Sequence, residues 1–445
     1  SLAISKCLNF VFLMNTIMEE LLIRDYIDSF QRKEFGKIVK RELEIKFVEE
    51  KAISIIGPRR AGKTYYFFQK ISELQRNKVL YLDFEEPFLS GLNPNEVLKI
   101  VYEIFPQVTG NLPLYVFLDE VQNLKDWEKL VRSLINRNIK VVITGSSSKL
   151  LGREIATHLR GRTISYLLLP FSFREFLKAK NFEINLNSLE NIGKVKKFLE
   201  EYLDIGGFPE IVLKEEKEKI LKEYIDLAFF KDFVERHNVK NIKLARIIFN
   251  HIVQNFSTYF SVRSLEKNLK SMGLTFNLLT LYKYVESLED TLFVFFVRKY
   301  SLRAREREGW PKKVYICDVG LSRKTRYFED IGKRMENLVF LHLLRKINEE
   351  PLREIFYLKI DDKEIDFLVK EGSRIKQLVQ VTYASNKDEI EKREIESLLK
   401  AHEFFKKDRP ELLVITWDYE DVIKYDNLKI KFIPLWKWLL DLEGK

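Results

Sequence analysis

Apolar and polar positions change rhythm several times along this 445-residue chain, and each change predicts an element. Between 19 and 45, Leu22, Tyr26, Ile27 and Phe30 recur at helical spacing, which predicts a leading helix. From Glu44 the rhythm becomes short, near-continuous apolar runs: AISIIG (52–57), KVLYLDF (78–84), LYVFLDE (114–120) and KVVITGSSS (140–148). Stretches of helical period separate them at 64–76, 95–105 and 126–137. Strands that are apolar on both faces and alternate with helices predict a parallel sheet covered on both sides.

After Ser165 the alternation stops. PFSFREFLKAK (170–180) opens a mostly helical region that runs to about 237, in which LKEEKEKILKEY reads as a solvated helix face. Residues 242–256, 262–271 and 277–289 read as three helices. They precede two strands, LFVFFVRKY (292–300) and KVYICDVG (313–320), joined by a basic turn, which is the order of a winged helix-turn-helix. Beyond 327 a new α/β unit begins, with helices at 332–347 and 388–407 and strands at 355–359, 366–371, 376–383 and 412–417. No internal repeat or low-complexity linker interrupts the pattern. The expected divisions are a helical segment (1–43), a sheet-bearing core (44–169), a helical lid (170–240), a winged helix (241–326) and a terminal α/β domain (327–445).

Composition adds constraints on class. Lys and Arg number 76 against 66 Asp and Glu, for a net charge of +10. That balance suits an acidic partner such as nucleic acid, and suits a solvated charged surface as well. The abundance of Lys, Arg, Glu and Ile fits a heat-adapted protein. Two cysteines, Cys7 and Cys317, leave no disulfide framework, and five scattered histidines leave no zinc cluster, so a cytoplasmic, reducing setting is expected. No apolar run is long enough to span a bilayer. The apolar patch around Phe10–Met14 lacks a signal-peptide cleavage site, and Met14 or Met18 is a possible true start.

The chemistry concentrates at GPRRAGKT (57–64), a match to G-x-x-x-x-G-K-[ST] between a strand and a helix. Gly57 and Gly62 let backbone N–H groups turn inward around a phosphate, and the helix that follows adds its positive end. Pro58, Arg59, Arg60, Ala61 and Tyr65 complete the binding segment. Lys63 is placed to neutralise the β- and γ-phosphates, and the Thr64 hydroxyl to ligate Mg²⁺. The bland reading is a glycine turn with an incidental lysine. LYVFLDE supplies the second half: Asp119 as the Mg²⁺ partner and Glu120 as the group that orients and polarises water. Because ligands sit at the carboxyl ends of parallel strands, both halves face the same end of the sheet. Ser146 is a candidate γ-phosphate sensor, with a helix cap as its bland alternative. In LRGRT (159–163), Arg160 or Arg162 is a candidate for stabilising the transferring phosphoryl, in cis or from a neighbouring subunit, with surface ion pairs as the alternative. The chain is therefore expected to bind ATP and Mg²⁺ and to hydrolyse the nucleotide.

GPRRAGKT, FLDEVQ, ITGSSS, LRGR, PFSFREF and GGFPE (206–210) occur in one order. That series resembles the predicted AAA+-class P-loop ATPases of the archaeal type, a branch related to signal-transduction ATPases with numerous domains. KKVYICDVGL, KRMENLVF and KEIDFLV with VQVTY resemble the same family's winged-helix and restriction-nuclease-like C-terminal parts. The resemblance implies the roles given above for Lys63, Thr64, Asp119 and Glu120, a lid motif near the adenine at Gly206, Gly207 and Pro209, and Arg162 in preference to Arg160. In the terminal domain it aligns Glu336, Asp366 and Gln380 with nuclease carboxylate positions and puts Thr382 where a lysine belongs. Threonine supplies no charge, so the domain is expected to have kept the fold for binding or oligomer contacts and lost cleavage.

The third helix of the winged-helix segment carries Asn277, Thr280, Lys283 and Tyr284, and the hairpin RKYSLRAREREGWPKK (298–313) holds seven basic residues. Lys283, Arg303, Arg305 and Arg307 are the candidate contacts to duplex DNA phosphates. Glu286, Glu289 and Asp290 argue against base readout, and a protein-docking module is the alternative. The expected function is a nucleotide-driven switch or remodeller, possible as a homo-oligomer. A non-hydrolysing ATP-gated scaffold and an ATP-regulated nuclease of a defence system are the alternatives, and a small-molecule kinase lacks a readable acceptor pocket.

Overall fold

A computed structural model describes residues 18–146, 161–185, 187–303, 309–324, 330–425 and 427–442. The chain forms two compact units. One runs to Gly57 and resumes over Gly62–Leu168; the other comprises Pro58–Ala61 and Leu169–Lys445.

The first unit is built on five parallel strands, β1 (Ala52–Ile56), β2 (Val79–Asp83), β3 (Tyr115–Asp119), β4 (Lys140–Gly145) and β5 (Thr163–Leu167), in the order β2-β3-β4-β1-β5. β1 to β4 are the four apolar runs of the sequence. β5 is an addition to the expected elements, since the sequence pattern of alternation ends at Ser165. Its residues Thr163–Tyr166 are only half-buried, since it forms the sheet's edge, and TISYL lacks the continuous apolar signature of a central strand. Helix α1 (18–32) buries Ile23, Ile27 and Phe30, and Phe30 stacks on Tyr81 of β2 with ring centroids 4.6 Å apart. Helix α2 (Lys63–Ser72) buries Tyr66, Phe67 and Ile71 among Ile53, Ile55, Phe117 and Val142. Each large apolar side chain so buried contributes about 1.5–3 kcal/mol.

The second unit begins with helices α3 (Phe173–Ala179), α4 (Leu189–Ile205), α5 (Pro209–Leu213) and α6 (Lys217–Leu227), the last continuing with wider turns over Ala228–Glu235. Ser172 and Glu175 cap α3 reciprocally, satisfying two of its free N–H groups. The three helices expected after 240 are present as α7 (Ile242–Gln254), α8 (Val262–Ser271) and α9 (Leu278–Asp290). β6 (Thr258–Phe260), β7 (Val294–Val297) and β8 (Lys312–Ile316) accompany them as an antiparallel sheet in the order β6-β8-β7. Helix α10 (Ile331–Arg345) leads to a six-stranded sheet of β9 (Arg353–Ile360), β10 (Lys363–Glu371), β11 (Arg374–Val381), β12 (Glu411–Thr416), β13 (Asp421–Tyr425) and β14 (Leu428–Pro434). Its order is β13-β14-β12-β11-β10-β9. Helix α11 (Lys392–Phe404) covers it, burying Leu398 and Ala401 against Leu368 and Leu378. β13 and β14 are additions to the expected elements: β13 is largely exposed, whereas β14 alternates apolar with polar residues and buries Ile430, Phe432 and Ile433.

The segments expected to be a lid, a winged helix and a terminal domain thus share one compact unit, and two glycine turns join the first two. Asp318, just after β8, accepts from the N–H of Gly207 (2.6 Å) and of Gly320 (2.9 Å). Gly206 has φ +75°, and a Cβ there would stand 1.7 Å from the Asp318 carboxylate. A Cβ on Gly207 would stand 2.4 Å from the Phe171 carbonyl oxygen. Only glycine allows so close an approach. Burial pushes the Asp318 carboxyl up to about 7, against the pull of its two backbone donors. Among the described residues, no helix is long and apolar enough to cross a membrane.

Candidate nucleotide site

The first unit assembles its site at the carboxyl ends of β1, β3 and β4. Gly57 follows β1 where β5 passes so close that a Cβ would lie 2.0 Å from the Leu168 carbonyl oxygen. Gly62 caps α2 in the left-handed region, with φ 95°. These turns bring Lys63 inward, 4 % exposed, with Nζ donating to the Gly57 carbonyl at 3.2 Å and lying 3.5 Å from Glu120 Oε1. Tyr65, one residue beyond Thr64, is largely exposed.

Asp119 ends β3 almost fully buried. Its Oδ2 accepts from the Thr64 hydroxyl at 2.7 Å and the Tyr81 hydroxyl at 3.0 Å, and its Oδ1 accepts from Thr144 Oγ1. Burial raises the Asp119 carboxyl above its ordinary value, the neighbouring Glu120 raises it further, and the three hydroxyls oppose both. Glu120 adopts a left-handed conformation, φ 48° and ψ 50°, unusual for a residue with a side chain. The Thr144 hydroxyl holds it there by accepting from the Glu120 N–H at 2.8 Å. The Glu120 carboxylate accepts from the Gln122 amide and lies 3.5 Å from the buried Ser146 hydroxyl. Lys63, Thr64, Asp119, Glu120 and Ser146 therefore converge. Thr144, Tyr81 and Gln122 join them without having been singled out. Thr144 stood in the hydroxyl run at 144–148, whereas a lone Tyr within a strand carries no signal.

Arg162 lies elsewhere. β5 runs parallel to β1, with Thr163 beside Ala52 and Leu167 beside Ile56, so Arg162 precedes the strand starts while the site follows the strand ends. Five residues of strand separate them, roughly 16 Å. The Arg162 guanidinium donates to the Asn136 side chain. An action of Arg162 on a phosphoryl in its own chain is thereby corrected: the sequence order placed it after β4 but could not tell which end of β5 it would start. Arg160 lies outside the described residues.

In the second unit Arg59 and Arg60 meet the lid helices. Arg59 Nε lies 3.2 Å from both oxygens of Asp232, and the Arg60 guanidinium lies 5.7 Å from the Tyr224 ring centre. Arg59, Arg60, Phe208, Tyr224, Asp232 and Phe293 line a recess there. Pro209 begins α5, and it is Phe208 that lines the recess. Gly206 and Gly207 pack on Asp318 and Phe171, so the lid motif serves close packing within its own unit.

In the winged-helix segment Lys283 and Arg303 are exposed, whereas Tyr284 is buried with its hydroxyl accepting from the Asn241 N–H at 3.1 Å. Arg305 and Arg307 lie outside the described residues. Leu279 is 73 % exposed and Tyr282 46 %, so α9 presents apolar as well as basic surface.

In the terminal domain Glu336 and Asp366 come together, and a lysine stands between them. It is Lys313 of β8, not residue 382. Its ammonium lies 3.0 Å from Glu336, 2.7 Å from Glu364 and 2.9 Å from Asp366. Gln380 Oε1 accepts from the Asp366 N–H at 3.1 Å, and Asp366 Oδ2 accepts from the Val381 N–H at 2.9 Å. Burial pushes the Glu394 carboxyl of α11 up to about 7, and the Asp366 charge adds to that rise. Among the described residues no group of three or more His, Cys, Asp or Glu side chains is arranged to hold a metal ion.

Residues 49–177 match the family described as AAA domain, and residues 196–330 a domain of unknown function, DUF8612. An uncharacterised protein of Methanocaldococcus jannaschii, MJ1544, is 35% identical over 95% of this chain and 95% of its own. An uncharacterised protein of Haemophilus influenzae is 28% identical over 88% of this chain and 96% of its own. The crystal structure of Cdc6p from Pyrobaculum aerophilum is similar over 55% of this chain and 80% of that one, at 12% identity and a TM-score of 0.24, which is too low to carry an argument.

Proposed function

The chain belongs to the family of P-loop AAA-domain proteins that includes MJ1544 of Methanocaldococcus jannaschii, and on that premise we propose that it is an Mg²⁺-dependent ATPase acting as a nucleotide-driven switch. The observation that carries this reading is the convergence of Lys63, Thr64, Asp119 and Glu120 at one end of the parallel sheet. Thr64 Oγ1 and Asp119 Oδ2 stand 2.7 Å apart, close to the roughly 3 Å between adjacent oxygens around an octahedral Mg²⁺. When bound, Mg²⁺ would neutralise charge building on the phosphates. Lys63 exchanges its contact with Glu120 for phosphate oxygens. That frees the Glu120 carboxylate to orient water and take its proton, with Thr144 fixing the backbone from which it projects. Should Arg162 assist, it does so in the site of a neighbouring copy. The cytoplasm, where ATP is abundant, is the proposed location.

The test is steady-state phosphate release by the native chain and by Lys63→Ala. Loss of release in the variant is expected, and equal rates would defeat the reading. For a partner, Lys283 and Arg303 support contact with duplex DNA phosphates. Exposed Leu279 and Tyr282 beside Lys283 favour a second reading, a protein partner on α9. Stimulation by DNA that disappears in Lys283→Ala and Arg303→Ala selects the first; indifference to DNA selects the second.

A further inference from the structure

Lys313 is 4 % exposed, yet it stands in a strand whose preceding residues form the most basic stretch of the chain. An ammonium has three donors and no acceptor. Here three carboxylates from two elements surround it: Glu336 from α10, and Glu364 and Asp366 from β10, at 2.7–3.0 Å. Those are the lengths of charge-assisted hydrogen bonds, and each carboxylate turns one oxygen to Nζ. The Tyr315 hydroxyl braces Glu336 at 2.7 Å. Burial alone would lower the lysine's affinity for its proton, but Asp366 and Glu336 hold it well above the ordinary value.

The arrangement bears on what the terminal domain does. A metal-dependent hydrolytic site needs carboxylate oxygens turned to an ion at about 2.0–2.6 Å, and a lysine with a hydrogen to spare for water. In this chain the oxygens turn to Nζ and the lysine's donors are matched one to one. The lysine that seemed to be missing at Thr382 is present, but it sits at the centre of the carboxylates rather than beside them.

We propose that Lys313 is the resident cation of this carboxylate cluster: its ammonium stands among the three carboxylates in place of any ion, and it fastens β8 to β10 and α10 in a metal-independent clasp. Backbone pairing supports the fastening from the same side. Tyr357 N donates to the Arg298 carbonyl at 3.1 Å, Tyr300 N donates to the Tyr357 carbonyl at 2.7 Å, and the Tyr357 hydroxyl donates to the Pro311 carbonyl. The strands flanking the basic hairpin are thus tied to the terminal sheet by hydrogen bonds and by charge. The terminal domain acts as a binding or scaffolding element whose carboxylate cluster is neutralised from within the chain.

The experiment counts Mn²⁺ on the full, nucleotide-free chain by calorimetric titration and follows thermal unfolding with EDTA or millimolar Mn²⁺. Native protein and Glu364→Gln should bind the same number of Mn²⁺ ions, and EDTA should leave the native Tm unmoved. Lys313→Met should lose roughly 10 °C in Tm, gain one Mn²⁺ per chain, and recover part of the loss when Mn²⁺ is added. If Glu364→Gln removes an Mn²⁺ from the native count, the cluster is a metal site and the proposal is overturned. It is also overturned if folded Lys313→Met is as stable as the native chain or gains no Mn²⁺. Should Lys313→Met fail to fold, the comparison of native with Glu364→Gln decides, and Lys313→Arg should keep native metal indifference.

Discussion

Lys63 and Lys313 are equally buried, and each faces carboxylates, yet their surroundings differ in kind. Lys63 follows a glycine turn at the end of a parallel sheet, 3.2 Å from a carbonyl and 3.5 Å from one glutamate. Lys313 lies within a strand, with three carboxylates at 2.7–3.0 Å. The contacts of the first lysine with Gly57 and Glu120 are long ones that a phosphate can replace. The second makes short ones that match its donors, so exchange has nothing to offer it. Composition alone, a lysine with acids, describes both. Distance separates a lysine poised to bind from one that holds the fold.

Four outcomes test the two units in turn. The largest is expected from Glu120→Gln, which should slow single-turnover ATP cleavage by about 10²–10³-fold while leaving the affinity for a fluorescent nucleotide near native. An undiminished rate would remove Glu120 from the chemistry. Lys63→Ala should cost phosphate release about 10²-fold with Tm close to native. A loss of Tm like that of Lys313→Met would put the two lysines in one class. Gly207→Ala should cost about 3 kcal/mol in urea unfolding, because its Cβ meets the Phe171 carbonyl oxygen; a native midpoint would mean that the turn adjusts freely.

The smallest concerns Asp318, a buried carboxylate held by backbone N–H groups. Its folded value of about 7 exceeds the ordinary 3.8, so the folded chain keeps this proton where the unfolded chain has lost it. The stabilisation is complete below pH 3.8 and fades as pH rises towards 7, by about 2 kcal/mol between pH 5.5 and 7. Asp318→Asn should flatten that part of the stability profile; an unchanged slope would assign it to other groups.

The sequence made the first unit legible because its signals are local. Four of its strands are unbroken apolar runs, and the loop and the acidic pair are contiguous words. The half-buried edge strand β5 left no such run, and with it went the knowledge of which end of the sheet Arg162 would occupy. In the sequence Lys313 ends a hairpin of seven basic residues that suggests contact with phosphates. Nothing in KKVYI tells a lysine that faces water from one that meets Glu336, Glu364 and Asp366, because its partners lie 23 to 53 residues away. Thr144 was hidden for a related reason: its hydroxyl acts through Asp119 and Glu120, on a different strand.

The Asp318 clasp bears on how the molecule can be taken apart. Gly207 and Asp318 are 111 residues apart in the chain, and the bond between them crosses the boundary at 240 that the sequence suggests. A lid expressed alone would keep a glycine turn whose N–H has lost its acceptor, a penalty of about 1–3 kcal/mol where that group stays buried. A winged helix expressed alone would carry a buried acid stripped of the N–H of Gly207. Fragments cut at the apparent boundaries should therefore be poorly soluble when separate and soluble when co-expressed, whereas a piece spanning Leu169–Lys445 keeps both turns and the terminal sheet together.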